Sequence, residues 1–151
     1  MYEFYSRHEE YWEDDTRLDE QLLRDINKAV NDEFSAIHYY TRLAELAPNN
    51  QFQQAILGIR QDEIKHFDWI SKAYYDLSGS YPQISLNIKL PNTFQEGVSE
   101  SIKDEVETVP FYQSIARRIT NARIQSRIVR AASDEQRHGQ IFRTIQSHFS
   151  Y

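Results

Sequence analysis

The chain has no cysteine. Disulfides, iron–sulfur clusters, thiolate zinc sites and a cysteine nucleophile are therefore excluded. Glycine and proline are scarce, with four of each, so few positions interrupt regular structure and long helices are expected. No apolar run approaches the ~18–20 residues that span a bilayer. The first residues, M-Y-E-F-Y-S-R-H-E-E, lack a basic stretch followed by an apolar one. The expectations are no membrane partner and a cytoplasmic location. Basic residues are in deficit: 17 Lys and Arg stand against 23 Asp and Glu, a net charge of −6. With no basic patch, a nucleic-acid partner is not expected. What remains is a chain of 151 residues, 40% hydrophobic and 26% charged, enough for one domain with one substantial core.

Residues 1–18 mix aromatics and acids without helical periodicity and read as an N-terminal arm; residues 19–151 read as an all-α domain. Four helical segments are expected there. The first runs roughly from Asp19 to Ala47, with Leu22, Leu23, Ile26, Val30, Ile37, Leu43 and Leu46 at helical spacing and Pro48 as its stop. The second runs from about Asn50 to Leu77, with Phe52, Ile56, Ile59, Ile64, Phe67 and Ile70 as its apolar face and Ser78–Gly79 as its end. The third opens on T-F-Q-E (93–96), the pattern of a capping box, and continues to about Thr120; the fourth covers about Asn121 to Phe149. Between the second and third lies G-S-Y-P-Q-I-S-L-N-I-K-L-P-N (79–92), whose alternating Ile84, Leu86, Ile88 and Leu90 suggest extended chain. At ~3.3 Å per residue it reaches ~46 Å, and a helix of ~28 residues is ~42 Å long. The segment can therefore run the length of a bundle. The expected fold is a four-helix bundle of two helical hairpins joined by one long crossover.

The two hairpins look like copies of one unit. N-D-E-F-S-A-I-H-Y-Y (31–40) aligns with K-D-E-V-E-T-V-P-F-Y (103–112), and Q-D-E-I-K-H (61–66) with S-D-E-Q-R-H (133–138), at a constant offset of 72 residues. Glu33 pairs with Glu105, Tyr40 with Tyr112, Asp62 with Asp134, Glu63 with Glu135 and His66 with His138. Hairpin register adds an independent test. Glu33 and Glu63 lie 15 residues either side of Pro48, and Glu105 and Glu135 lie 15 either side of Thr120. At ~1.5 Å rise per residue, each pair sits at one height, ~22 Å from its turn. Residues i and i+3 of a helix point the same way, so Glu63 converges with His66 and Glu135 with His138. Four carboxylates and two imidazoles are thus aimed at one interior point. Four buried carboxylates would be strongly destabilising without cations. Two divalent metals would balance their charge, and carboxylate oxygen with imidazole nitrogen suits iron or manganese.

This duplicated E…E-x-x-H pattern resembles the ferritin-like di-iron carboxylate superfamily, most of all its rubrerythrin-like branch, over residues 19–149. D-E-x-R-H at 134–138 and D-E-x-K-H at 62–66 also resemble a motif of bacterial multicomponent monooxygenases. The resemblance implies a ferritin-like bundle holding two iron ions per chain, manganese being the alternative. Glu33 and Glu105 would be lone carboxylates, one per metal. Glu63 and Glu135 would bridge, His66 and His138 would be nitrogen ligands, and Asp62 and Asp134 would match acids that orient ligand histidines. It implies a protein that reacts with O2 or H2O2, as a ferroxidase or peroxide scavenger in iron or oxidative-stress handling. An iron-storage protein and a bundle that binds metal only structurally are the rivals, with dimanganese catalase chemistry a further one.

There are departures from the family pattern. Peroxide-reducing rubrerythrins carry a further carboxylate three residues from the lone glutamate of the third helix, where this chain has Ile102 and Thr108. They also carry a cysteine-bound iron domain that this chain lacks, so reductant would come from another protein or from Fe(II) itself. Pro110, five residues past Glu105, is expected to kink the third helix.

Other residues read more plainly. Tyr40 and Tyr112 fall two turns beyond the lone glutamates and read as core, with hydrogen bonding to a ligand as the alternative. Trp69 reads as core, and His8, His38 and His148 as surface. Arg117, Arg118, Arg123, Arg127 and Arg130 read as a solvated face pairing with acids. Ten tyrosines and eight phenylalanines exceed what one bundle core needs, so a homodimer or larger homo-oligomer is expected.

Overall fold

The computed structural model describes residues 19–149 and contains four helices. They are α1 (Glu20–Leu46), α2 (Asn50–Ser78), α3 (Phe94–Arg118) and α4 (Ala122–Ser147). The arm expected at residues 1–18 lies outside the described residues. Each helix begins where a side chain can satisfy its free N–H groups. Asp19 accepts from the Leu22 amide, Asn49 from Phe52, Thr93 from Glu96, and Asn121 from Arg123 and Ile124. Asp19 and Asn121, read from sequence as first helical residues, are therefore caps, and Thr93 caps α3 as its capping-box pattern predicts. Gly79 ends α2 at φ 73°, a left-handed conformation suited to glycine, with its amide bonded to the Tyr75 carbonyl. α3 continues without a break through Pro110, which faces solvent.

The bundle is two antiparallel hairpins, α1–α2 and α3–α4, docked through α1 against α3 and α2 against α4. Between α2 and α3, residues 81–91 form no regular element and run back along the bundle, as a crossover must. The crossover is not left without partners. Asn27 Oδ1 accepts the Gln83 amide at 2.9 Å, and Asn31 accepts the Ser85 amide at 2.6 Å while donating to the Gln83 carbonyl at 2.8 Å. Two asparagines one turn apart on α1 thus do what a neighbouring strand would do for an extended chain.

Apolar side chains gather in two clusters, one toward each end of the bundle. One joins Leu22, Ile26 and Val30 to Ile70, Ile115 and Ile128; the other joins Leu43, Ile56 and Ile59 to Val98, Phe142 and Ile145. Ile64, expected on the apolar face of α2, is instead 40% exposed, because its neighbour Glu63 takes the inward position. The middle layer between the clusters is polar, and it holds the candidate site.

Candidate metal centre

Seven polar or charged residues are buried among the described residues, and six of them are Glu33, Glu63, His66, Glu105, Glu135 and His138. All six are at most 3% exposed. Each helix contributes: α1 Glu33, α2 Glu63 and His66, α3 Glu105, α4 Glu135 and His138. The convergence expected from hairpin register is therefore present in the fold.

Glu135 lies between the two imidazoles, with Oε1 at 3.0 Å from His66 Nδ1 and Oε2 at 3.2 Å from His138 Nδ1. Glu63 has the mirrored position, with Oε2 at 3.5 Å from His66 Nδ1 and Oε1 at 2.9 Å from His138 Nδ1, the latter off the line of a hydrogen bond. Glu33 Oε1 stands 3.5 Å from His66 Nδ1, and Glu105 Oε1 3.9 Å from His138 Nδ1. Two groups of donor atoms result, each close enough to enclose one ion: Glu33, Glu63, His66 and Glu135, and Glu63, Glu105, Glu135 and His138. Glu63 and Glu135 belong to both.

The donors are oriented from outside the cluster. His66 Nε2 meets Asp134 Oδ2 at 2.9 Å, and His138 Nε2 meets Asp62 Oδ2 at 2.9 Å. An Nε2–H donated to each aspartate turns Nδ1 inward, where loss of its proton would expose the lone pair that a metal needs. Asp62 and Asp134 thus bond the two buried imidazoles instead of standing free at the surface. Arg137 ties them together, at 2.7 Å from Asp62 and 3.6 Å from Asp134. It was not singled out from sequence, although the repeat offset pairs it with Lys65, which stands 3.6 Å from Asp62. Burial alone would raise the Asp62 carboxyl, but hydrogen bonds from His138 and Arg137 hold it below its ordinary value.

Tyr40 and Tyr112 are core residues that also serve the site. Tyr40 on α1 donates to Glu105 Oε1 on α3 at 2.7 Å, and Tyr112 on α3 donates to Glu33 Oε1 on α1. Each bonds the lone glutamate of the facing helix, not that of its own. Burial first, then the facing carboxylate, pushes both phenols well above their ordinary value, so they remain donors.

The protonation pattern is that of a crowded acid cluster. Burial first, then neighbouring carboxylates, raises Glu33 and Glu105 well above the ordinary range. Glu135 is held well below it, because hydrogen bonds from Glu105 and both histidines outweigh its burial. Burial would lower both imidazoles, yet Glu135 and the other glutamates overcome it. His66 is strongly raised and His138 is pushed up to about 10. Asp104, beside Glu105, rises to about 6 through partial desolvation, then through Asp32, Glu135 and Glu63.

Glu33 Oε2 and Glu105 Oε2 have no hydrogen-bond partner although both residues are buried. An orphaned buried carboxylate oxygen is costly unless a cation meets it. The donor set therefore fits divalent metal, with two hard oxygen-rich sites each carrying one imidazole. The inner cavity has a volume of about 10 Å³ and is lined by all four glutamates, Tyr40, Tyr112 and Thr108.

The remaining candidates divide as follows. Trp69 packs its ring 5.7 Å from that of His66. His38 and His148 are exposed, and His8 lies outside the described residues. Of the arginine group, Arg118 pairs with Asp25 at 2.6 Å and Arg130 approaches Asp134 at 3.5 Å.

Comparison with known proteins agrees with this geometry. An uncharacterised protein of Bacillus subtilis (strain 168), YhjR, is 39% identical over 122 residues, covering 81% of this chain and 84% of that one. The solved structure of a hypothetical protein from Pyrococcus furiosus matches with a TM-score of 0.74 over 83% of this chain and 88% of that one. At 16% identity that likeness is one of fold. Among the described residues, no helix is long and apolar enough to cross a membrane. The rubrerythrin family model matches residues 26–146, a span that takes in all six clustered residues, and the chain belongs to the rubrerythrin family.

Proposed function

We propose that this protein binds two iron ions per chain and uses them to react with O2 or H2O2, oxidising Fe(II) or removing peroxide. The observation that carries the reading is the sharing of Glu63 and Glu135 between two donor groups, each completed by one histidine and one lone glutamate. A paired centre of this kind supplies two electrons together at adjacent metals, which is what reduction of an O–O bond requires.

The chain's own residues set the conditions. Glu33, Glu63, His66, Glu105, Glu135 and His138 would hold the ions. Asp134 and Asp62 keep the Nδ1 atoms of the imidazoles inward. Tyr40 and Tyr112 steady the lone glutamates and carry exchangeable protons at the edge of the cavity. The two apolar clusters exclude water from either end. A cavity of about 10 Å³ has room for roughly one water-sized molecule, which favours a small oxidant over an organic substrate. With no cysteine in the chain, electrons would come from Fe(II) itself or from a separate donor protein.

Metal analysis after anaerobic Fe(II) loading and air exposure tests the reading. About two irons per chain, with Fe(II) oxidation lost in Glu63→Ala and His138→Ala while helix content is kept, is the expected result. Tens of irons per chain would show storage instead, and unchanged turnover in either variant would sink the catalytic reading.

A further inference from the structure

Outside the cluster of six, the repeat places a second pair of acids. Asp32 precedes Glu33 on α1, and Asp104 precedes Glu105 on α3. Both line two adjoining cavities. The outer one, about 250 Å³, lies between α1, α3 and the crossover and includes Tyr39, Lys89 and Glu100. The inner one is the centre itself. Asp32, Ala36, Tyr40 and Asp104 are common to both, so they form the neck between solvent and the glutamates.

The other approaches are closed or carry the wrong charge. Apolar clusters seal both ends of the bundle. Behind the histidines, Lys65, Arg130 and Arg137 engage Asp62 and Asp134, which repels an incoming cation. The outer cavity instead presents Asp32, Glu100 and Asp104 against one lysine, Lys89. Lys28 pairs with Asp32 at 2.5 Å, but the lysine is largely in solvent and the aspartate partly so, so a cation can displace it. Beyond the neck, the unpartnered Oε2 atoms of the buried Glu33 and Glu105 line the inner cavity. The neck therefore leads from exposed carboxylates to buried ones that lack a partner.

We propose that Asp32 and Asp104 form a cation-uptake gate, through which a divalent metal ion sheds water and passes to Glu33 and Glu105. The inference rests on the metal-centre reading above. It assigns the two aspartates a role in the rate of loading and none in final capacity. Negative charge at such a mouth raises the local cation concentration, an effect of roughly 10- to 1000-fold on association rates that salt suppresses.

The test is stopped-flow uptake of Co(II), followed by its visible absorption, in the full chain. Asp32→Asn/Asp104→Asn should load roughly tenfold or more slowly than wild type, lose most of the salt dependence, and still reach the wild-type number of Co(II) ions. Asp32→Glu/Asp104→Glu should keep the fast rate. Glu20→Gln/Glu45→Gln, which removes the same charge at the exposed ends of α1, should also keep it. Equal rates in wild type and the Asn pair, or equal slowing by the Glu20/Glu45 control, would overturn the gate. So would loss of capacity in the Asn pair, which would make the aspartates ligands. A wild-type chain that takes up no Co(II) would overturn the metal centre itself, a result distinct from unaltered rates.

Discussion

Tyr40 on α1 donates its hydroxyl hydrogen to Glu105 on α3 at 2.7 Å, and Tyr112 returns the same bond from α3 to Glu33 on α1. The lone glutamate of each helix is therefore steadied by the other. Partners that orient a metal ligand commonly contribute 10- to 100-fold in affinity. Tyr40→Phe should weaken metal binding about tenfold at one of the two donor groups and leave the other near its wild-type affinity. Tyr40→Phe/Tyr112→Phe should weaken both. Calorimetric titration with Co(II) reads the two steps separately, and unchanged affinity in Tyr40→Phe would show that the hydroxyl is only a packing neighbour.

Sharing of Glu63 and Glu135 between the two donor groups makes the four glutamates unequal. Glu33→Gln or Glu105→Gln should leave one competent group and about one ion per chain. Glu63→Gln or Glu135→Gln should damage both groups and leave close to none. Metal content after dialysis against a weak chelator distinguishes these outcomes. A uniform loss of one ion in all four variants would contradict the shared arrangement.

The protonation pattern predicts how pH acts. Glu33, Glu105, His66 and His138 are all raised, so without metal each keeps its proton to higher pH than it would in water, and an incoming ion must displace it. Metal binding should release protons into weak buffer, and affinity should fall as pH falls. Stability of the metal-free protein should move the other way. His138 rises from 6.5 to about 10 on folding, so its contribution is full below pH ~6.5 and is lost as pH climbs toward ~10. The metal-free melting temperature should decline across that window while the loaded protein holds its own. A flat metal-free profile from neutrality to pH ~10 would contradict the charged imidazole.

Close packing of α1 against α3 depends on one missing side chain. A Cβ at Gly97 would sit 2.5 Å from Leu43 Cδ1 and 3.0 Å from Pro91 Cβ. Leu43 is fully buried, so it has little space in which to retreat. Gly97→Ala should destabilise by ~1–3 kcal/mol despite the better helix propensity of alanine. Gly139→Ala is the comparison, because its nearest contact would be an ordinary 3.5 Å from Glu105 Cβ. Thermal melts of the two variants should separate clearly.

How much of this was legible in the sequence depended on whether a feature repeats. The six site residues and the orienting aspartates occur twice at one offset, and helical geometry carries them inward without further information. The partners of Tyr40 and Tyr112 were harder to see. Residues seven apart on one helix are ~10.5 Å apart along its axis, too far for a bond, so each hydroxyl crosses to the facing helix. The two asparagines that clasp the crossover have no counterpart signal, because an extended chain can lie along any face offering amide groups. Apolarity alone puts Ile64 on the inward face, yet it is exposed. On α2 the inward row runs through Glu63, His66 and Ile70, so burial there follows the polar cluster before it follows hydrophobicity.

The donor groups have one more property. Glu33, Glu63 and His66 of the first hairpin are joined by Glu135 of the second, and Glu105, Glu135 and His138 of the second by Glu63 of the first. Each hairpin supplies three donors to its own group and lends one to its neighbour's. Neither half of the molecule is self-sufficient, as in a dimer whose subunits exchange a ligand. The crossover fuses that dimer into one polypeptide, so assembly of the centre is an intramolecular event that does not weaken on dilution.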